Sequence, residues 1–200
     1  MSDLGRDFAD GKGCHRHFRV GRMSVVLEIV KRAQQEKLPG LLVGGHAVIL
    51  YAVPRFTRDI DFLVPDHAVE QWLGFLQRLS YRVYHRTEAF IQLEPATPGT
   101  LPPIDLMLVD EKTWANLLAK AEERDAGEGM RLAVPHPWHL IAMKLTAAKA
   151  PGRRATGSDW SDILDLIRTC KIDLADPEFR QLVIRFGGEE ALQRMKEGLR

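Results

Sequence analysis

Apolar and polar residues alternate with changing period along the chain, and the period locates the elements. Over 24–36, Val26, Leu27, Ile29, Val30 and Ala33 fall on one side of a helical wheel, with Glu28, Lys31, Arg32 and Gln35 opposite. Pro39-Gly40 ends that helix. Leu41-Leu42-Val43 is a short apolar strand running into Gly44-Gly45, and His46 to Ala52 reads as a compact buried helix closed before Pro54. Asp59 to Val64 alternates Asp, Ile, Asp, Phe, the period-two signature of a strand with one polar and one apolar face. A helix after Pro65-Asp66 turns Val69, Trp72, Leu73, Leu76 and Leu79 inward. Strands are expected at Tyr81–Tyr84, Ala89–Leu93 and Ile104–Val109, a helix over Thr113–Arg124, and a short strand at Met130–Val134. From Pro135 the pattern is helical only, at 137–149, 159–170, 177–186 and 188–198, with Asp176-Pro177 as an N-cap and first helical residue.

The expected fold class is therefore α/β (α+β), a small mixed sheet flanked by helices with a C-terminal helical half. Residues 23–134 form the α/β core and 135–200 the helical region. Residues 1–22 carry little apolar periodicity and no hydrophobic signal segment, so they read as a flexible N-terminal extension. His15 and His17 in that stretch fit a solvated tail better than a metal tract.

Composition narrows the class. The chain has 200 residues, 45% hydrophobic and 28% charged, which is enough for one continuous core. A net charge of +1 excludes a tail-driven polycationic nucleic-acid binder but leaves room for a local basic patch. Two cysteines, Cys14 and Cys170, make neither a disulfide framework nor a structural zinc site. No apolar run approaches the ~18–20 residues that cross a bilayer. A reducing, cytoplasmic setting and no membrane partner are expected.

The stretch that carries chemistry is Leu41–Val64, LLVGGHAVILYAVPRFTRDIDFLV. Asp59 and Asp61 are two apart on a strand, so both carboxylates leave one face while Ile60 and Phe62 anchor the other. Paired carboxylates repel, and a hard divalent cation such as Mg²⁺ (or Mn²⁺), completed by phosphate oxygens, relieves the repulsion. A solvated strand face is the plainer reading of an isolated Asp-x-Asp. Gly44-Gly45 at a strand-to-helix turn is either a tight turn or a place for backbone N–H groups to hold phosphate. Asp105 lies mid-strand among Ile104, Leu106 and Leu108, where a carboxylate needs a metal or a partner such as Arg55 or Arg58. Three carboxylates and a glycine turn are what metal-assisted phosphoryl transfer from an NTP requires.

Gly44-Gly45, thirteen further residues, Asp59-Ile60-Asp61 and the later Asp105 resemble the nucleotidyltransferase fold of the DNA polymerase β superfamily. More narrowly, Arg55-Phe-Thr57-Arg58-Asp59-Ile-Asp61 is similar to the bacterial AbiEii-type toxin nucleotidyltransferases. Lys144-Leu145, Arg153 or Arg154, and Asp159-Trp-Ser-Asp162 match that family's later elements, so the resemblance spans about residues 40–167.

The resemblance implies metal ligation by Asp59, Asp61 and Asp105, with catalysis by these three and Lys144. It implies nucleotide contacts from Gly44, Gly45, His46, Arg58, Lys144, Arg153, Arg154, Asp159 and Asp162. The implied activity moves an NMP from an NTP to a hydroxyl acceptor, a tRNA 3′ end or a protein, in the toxin of a toxin–antitoxin pair. A catalytically idle module that keeps the fold to bind an antitoxin or regulator is the alternative.

His46 departs from the small hydroxyl residue common after the glycines, so it is either a phosphate donor or a buried structural histidine. Lys144 falls on a largely apolar helix, which calls for a phosphate or an acidic partner. Asp159 and Asp162 face the same way, and Asp159 doubles as a candidate helix cap. The segment Pro151–Gly157 reads as a closing loop or a connector.

Overall fold

The structure, a computed structural model, describes residues 25–127, 129–149 and 157–200. The N-terminal extension, Arg153, Arg154 and most of the Pro151–Gly157 segment lie outside the described residues. Helix α1 covers 25–35 and leads into β1 (Leu41–Leu42) and α2 (Gly44–Leu50). Strand β2 (Ile60–Pro65) follows, then a 3₁₀ turn at Asp66–Ala68, α3 (Val69–Arg78), β3 (Tyr81–Arg86), β4 (Phe90–Pro95) and β5 (Ile104–Val109). The rest of the chain is α4 (Glu111–Ala119), β6 (Glu122–Asp125), β7 (Arg131–Val134), α5 (Pro137–Lys149), α6 (Gly157–Thr169), α7 (Pro177–Gly187) and α8 (Glu189–Gly198).

Five strands make one sheet in the order β1-β2-β5-β4-β3. Among the described residues β2 and β5 run parallel and the other pairs antiparallel, so the sheet is mixed. Because side chains alternate faces, the register sorts the two sides. Phe62, Leu106 and Ile91 are cross-strand partners on the buried face. Trp72 of α3 packs on Phe62 at 4.8 Å between ring centroids, and its indole N–H donates to the Pro39 carbonyl at 2.8 Å. On the opposite face, Asp61, Asp105, Gln92 and His85 are successive partners across four strands. One row of residues thus carries polar groups across most of the sheet.

The helical half is not separate from this core. Ile141, Leu145, Ile163, Phe179 and Val183 join the same apolar cluster as Val26, Ile60 and Leu106. The Tyr51 hydroxyl donates to the Pro135 carbonyl at 2.9 Å, tying the end of α2 to the start of the helical half. No helix among the described residues is long and apolar enough to cross a membrane.

Three expectations change. The helix expected over Thr113–Arg124 is α4, which starts at Glu111 and stops at Ala119. The Asp110 carboxylate caps it by accepting the Thr113 N–H at 2.7 Å. Glu122–Asp125 instead pairs with Arg131–Val134 as a hairpin, because Gly127 and Gly129 supply the positive φ its turn needs. Helix α2 starts two residues earlier than its apolar pattern indicates, at Gly44, and Asp59 lies just before β2 rather than inside it.

Candidate functional site

The glycine pair exists because of what packs against it. Gly44 sits at φ +59°, in the left-handed region, and a Cβ there would fall on the Asp61 carboxylate. A Cβ on Gly45 would come within 2.6 Å of Thr57 Oγ1. The Gly45 N–H points to the Asp61 carboxylate, so α2 begins against that side chain. The Val43 N–H donates to the Asp61 carbonyl at 2.9 Å, which fixes β1 and the turn to β2. A sequence that places bare backbone before a helix thereby holds one carboxylate in place.

Asp61 and Asp105 are direct partners on neighbouring parallel strands. The Asp61 carboxyl is pushed up to about 6, first by burial and then by the charges of Asp105 and Asp59; the Gly45 N–H and Lys144 act in the other direction. Asp59 is exposed at the rim. Asp105 accepts from Gln92 Nε2 at 3.3 Å and 3.4 Å. Of the arginine partners considered for Asp105, Arg55 pairs with Asp162, and Arg58 is exposed.

The helical half adds a buried ionic network. The Lys144 ammonium lies 2.6 Å from Asp162 Oδ2 and 3.2 Å from Asp159 Oδ1, and Arg55 Nη1 also pairs with Asp162. Lys144 is 8% exposed and Asp162 3%. Charges this deep are tolerated only when paired, and Asp162 serves two cations at once. The network joins α5 and α6 to the segment that leads into Asp59. Lys144 thus has acidic partners while its charge reaches Asp61. Asp159 lies in the first turn of α6, which begins at Gly157, and is one of those partners.

His46 is 4% exposed, inside α2. Its burial fits the structural role better than the phosphate-donor role. Gln92 is a site neighbour that the sequence pattern does not single out, and Thr57 stands in the Arg55–Asp61 motif without a role of its own. Thr57 carries a signal in its place between Arg55 and Asp59, but Gln92 becomes visible only through the β4–β5 register.

The donor set suits a hard cation. Asp61 and Asp105 face one another, Asp59 stands at the edge, and their mutual repulsion is what a divalent ion relieves. Among the described residues no three His, Cys, Asp or Glu side chains are already gathered around one point. Two protein carboxylates with a third at the rim match an ion that keeps waters and takes substrate oxygens.

No family model matches the chain, and no curated protein matches it. Solved structures do. The solution structure of the antibiotic-resistance factor ANT(2'')-Ia has a TM-score of 0.66 at 15% identity, covering 90% of this chain and 99% of that one. The lincosamide antibiotic adenylyltransferase LnuA, with lincomycin bound, has a TM-score of 0.55 at 15% identity, covering 72% and 94%. The polyadenylate synthase of Megavirus has a TM-score of 0.53 at 16% identity over 86% of this chain, which spans 40% of that protein. The chain has the nucleotidyltransferase fold.

Proposed function

We propose that this chain is an NTP-dependent nucleotidyltransferase that moves an NMP to a hydroxyl acceptor and releases pyrophosphate. The observation that carries the reading is the facing pair Asp61 and Asp105, with Asp59 at the rim and the Lys144 charge acting on Asp61. Mg²⁺ or Mn²⁺, when bound, supplies charge neutralisation and Lewis-acid polarisation of the phosphoryl oxygens. Asp59, Asp61 and Asp105 would hold it.

The chain's own groups divide the remaining work. Gly44 and Gly45 leave backbone close to the carboxylates, on the side assigned to the triphosphate. Lys144, steadied by Asp159 and Asp162, places positive charge behind Asp61. Arg58, exposed beside Asp59, would meet phosphate. Arg153 and Arg154 belong to the same proposal by resemblance. Asp105 takes the acceptor's proton as the acceptor oxygen bonds to the α-phosphorus; the α–β bridge bond breaks and pyrophosphate leaves.

The AbiEii-type resemblance of Arg55–Asp61 supports a tRNA 3′ end or a protein as acceptor, a toxin role with a cognate antitoxin, and a cytoplasmic setting. The test is incubation of the protein and Mg²⁺ with each α-labelled NTP and a panel of acceptors, followed by mass analysis. The panel holds tRNA, a protein extract, and an aminoglycoside such as the tobramycin whose adenylyl form ANT(2'')-Ia binds. Addition of one NMP supports transfer. NTP binding with no product on any acceptor favours the idle binding module.

A further inference from the structure

Strands β4 and β5 set Gln92 directly across from Asp105, and the side chains of such antiparallel partners stand about 5 Å apart on one face of the sheet. Gln92 Nε2 lies 3.3 Å from one Asp105 carboxylate oxygen and 3.4 Å from the other, so the amide donates across both. An ionised carboxylate only accepts, so the NH₂ end of the amide faces it and the carbonyl does not. On the far side of Gln92 the register of β3 breaks: Val83 partners Leu93 and His85 partners Gln92, so Tyr84 is the extra residue of a β-bulge. The bulge sets His85, an exposed residue of the edge strand, beside Gln92 where unbroken pairing would set Tyr84.

Core packing does not account for the glutamine. Its strand neighbours Ile91 and Leu93 fill the apolar face, while Gln92 is half-buried in the polar row. A lysine in its place would hold Asp105 by charge as well as by hydrogen bonding. It would also cancel the negative charge that a divalent ion needs. An uncharged donor restricts rotation of the carboxylate and leaves that charge in place, and the Asp105 charge is felt at Asp61. Orienting a ligand through its outer hydrogen bond is how proteins tune a cation site without entering it.

We propose that Gln92 is the positioning residue of Asp105: its neutral amide fixes the direction of the carboxylate while keeping its charge for the cation and its lone pairs for the acceptor hydroxyl. This rests on the transferase reading and adds a residue that acts through Asp105 alone.

The test uses the full chain and Mn²⁺, with bound ion read from the loss of the free-ion electron paramagnetic resonance signal. Gln92→Leu keeps most of the side-chain volume and removes the donor. Its Mn²⁺ affinity should fall about tenfold to a hundredfold, the range for partners of metal ligands. In an Asp105→Asn background the same change should make no further difference, because the group it acts through is gone. Gln92→Lys should lose at least as much Mn²⁺ affinity as Gln92→Leu, while its stability to urea without metal matches or exceeds the parent's. Parental Mn²⁺ binding by Gln92→Leu overturns the proposal. An undiminished further loss in the Asp105→Asn background also does, since Gln92 would then act through the fold. Parental Mn²⁺ binding by Gln92→Lys, or a metal-free form less stable than the parent, overturns the role of the neutral donor. In each of these cases a parent that binds Mn²⁺ leaves the transferase reading standing. A parent that binds no Mn²⁺ overturns the metal site and this inference together.

Discussion

Asp61 and Asp105 occupy matched positions on two parallel strands, so their carboxylates leave the same face of the sheet side by side. Parallel pairing requires a crossover, and here it contains α3, β3 and β4. The second aspartate therefore arrives more than forty residues after the first. The arrangement costs stability in the metal-free protein, because Asp61 is crowded by burial and by like charge. A cation held there, as proposed, would relieve that crowding.

That cost has a pH signature. A carboxyl moved from 3.8 to about 6 binds its proton more tightly in the folded state. The native protein then holds more protons than the unfolded chain between those values, and stability falls as pH rises through them. At 1.36 kcal/mol per pH unit the fall is at most ~3 kcal/mol. Asp61→Asn should flatten this part of the profile and leave the metal-free variant more stable than the parent at pH 7. Urea unfolding at pH 4, 5, 6 and 7 without divalent ions checks it; a parent no less stable at pH 7 than at pH 4 in this comparison would contradict it.

Mg²⁺ with NTP should reverse the ranking. Ligand that binds only the folded state stabilises by mass action, by about 2.7 kcal/mol at one hundred times its Kd. The parent's Tm should rise on adding both, while Asp61→Asn should lose most of the metal-dependent part. Thermal melts with NTP, with metal, and with both separate these contributions. Equal shifts in parent and variant would remove Asp61 from the metal site.

Much of this site was legible in the sequence because it is local. Gly44, Gly45, Asp59 and Asp61 lie within eighteen residues, and strand periodicity puts the aspartates on one face. Asp105 was marked by being a carboxylate amid apolar neighbours. Its partner was not legible: Gln92 meets it through antiparallel register, which the pattern of one strand does not encode. For the same reason Arg55 reads from the sequence as one candidate partner for Asp105, whereas it pairs with Asp162, 107 positions away. The error at 113–124 has a different origin. Ala121, Glu122, Glu123 and Arg124 suit a helix by propensity, and pairing with β7 overrides that preference. Nothing in YRVYHR announces the bulge at Tyr84, since an extra residue is defined only against the strand beside it.

The buried network should behave as a unit. Asp162→Ala leaves Arg55 and Lys144 without their shared carboxylate, and removing one member of a buried pair costs about 3–5 kcal/mol. Lys144→Met, which removes the charge but keeps the stem packed, should cost less because Arg55 still pairs with Asp162. Denaturant melts of the two variants and of the double variant form the cycle; additive losses would show that the groups do not share a network. Lys144→Met should also weaken NTP binding, a readout that Arg55–Asp162 pairing alone would not move.

The roles of the carboxylates divide on geometry. Asp61 is held by the Gly45 N–H at the glycine turn, with Asp59 two residues before it, and the proposed function puts both on the triphosphate side. Asp105 comes from β5 and accepts from Gln92 of β4, on the side that leads to the open edge of the sheet. An acceptor hydroxyl approaching from that edge meets Asp105 first. Asp105→Asn keeps the size of the side chain and its capacity to accept from Gln92, so the fold should stay intact. The variant lacks a base, and transfer should fall by at least ~100-fold, the low end of general-base effects. NTP affinity in Mg²⁺ should change far less. Single-turnover transfer beside calorimetry of NTP binding distinguishes the possibilities. A variant that loses NTP affinity as completely as Asp61→Asn makes Asp105 a triphosphate-side ligand. One that transfers at the parental rate places it outside the chemistry, leaving Asp59 and Asp61 as the reacting pair.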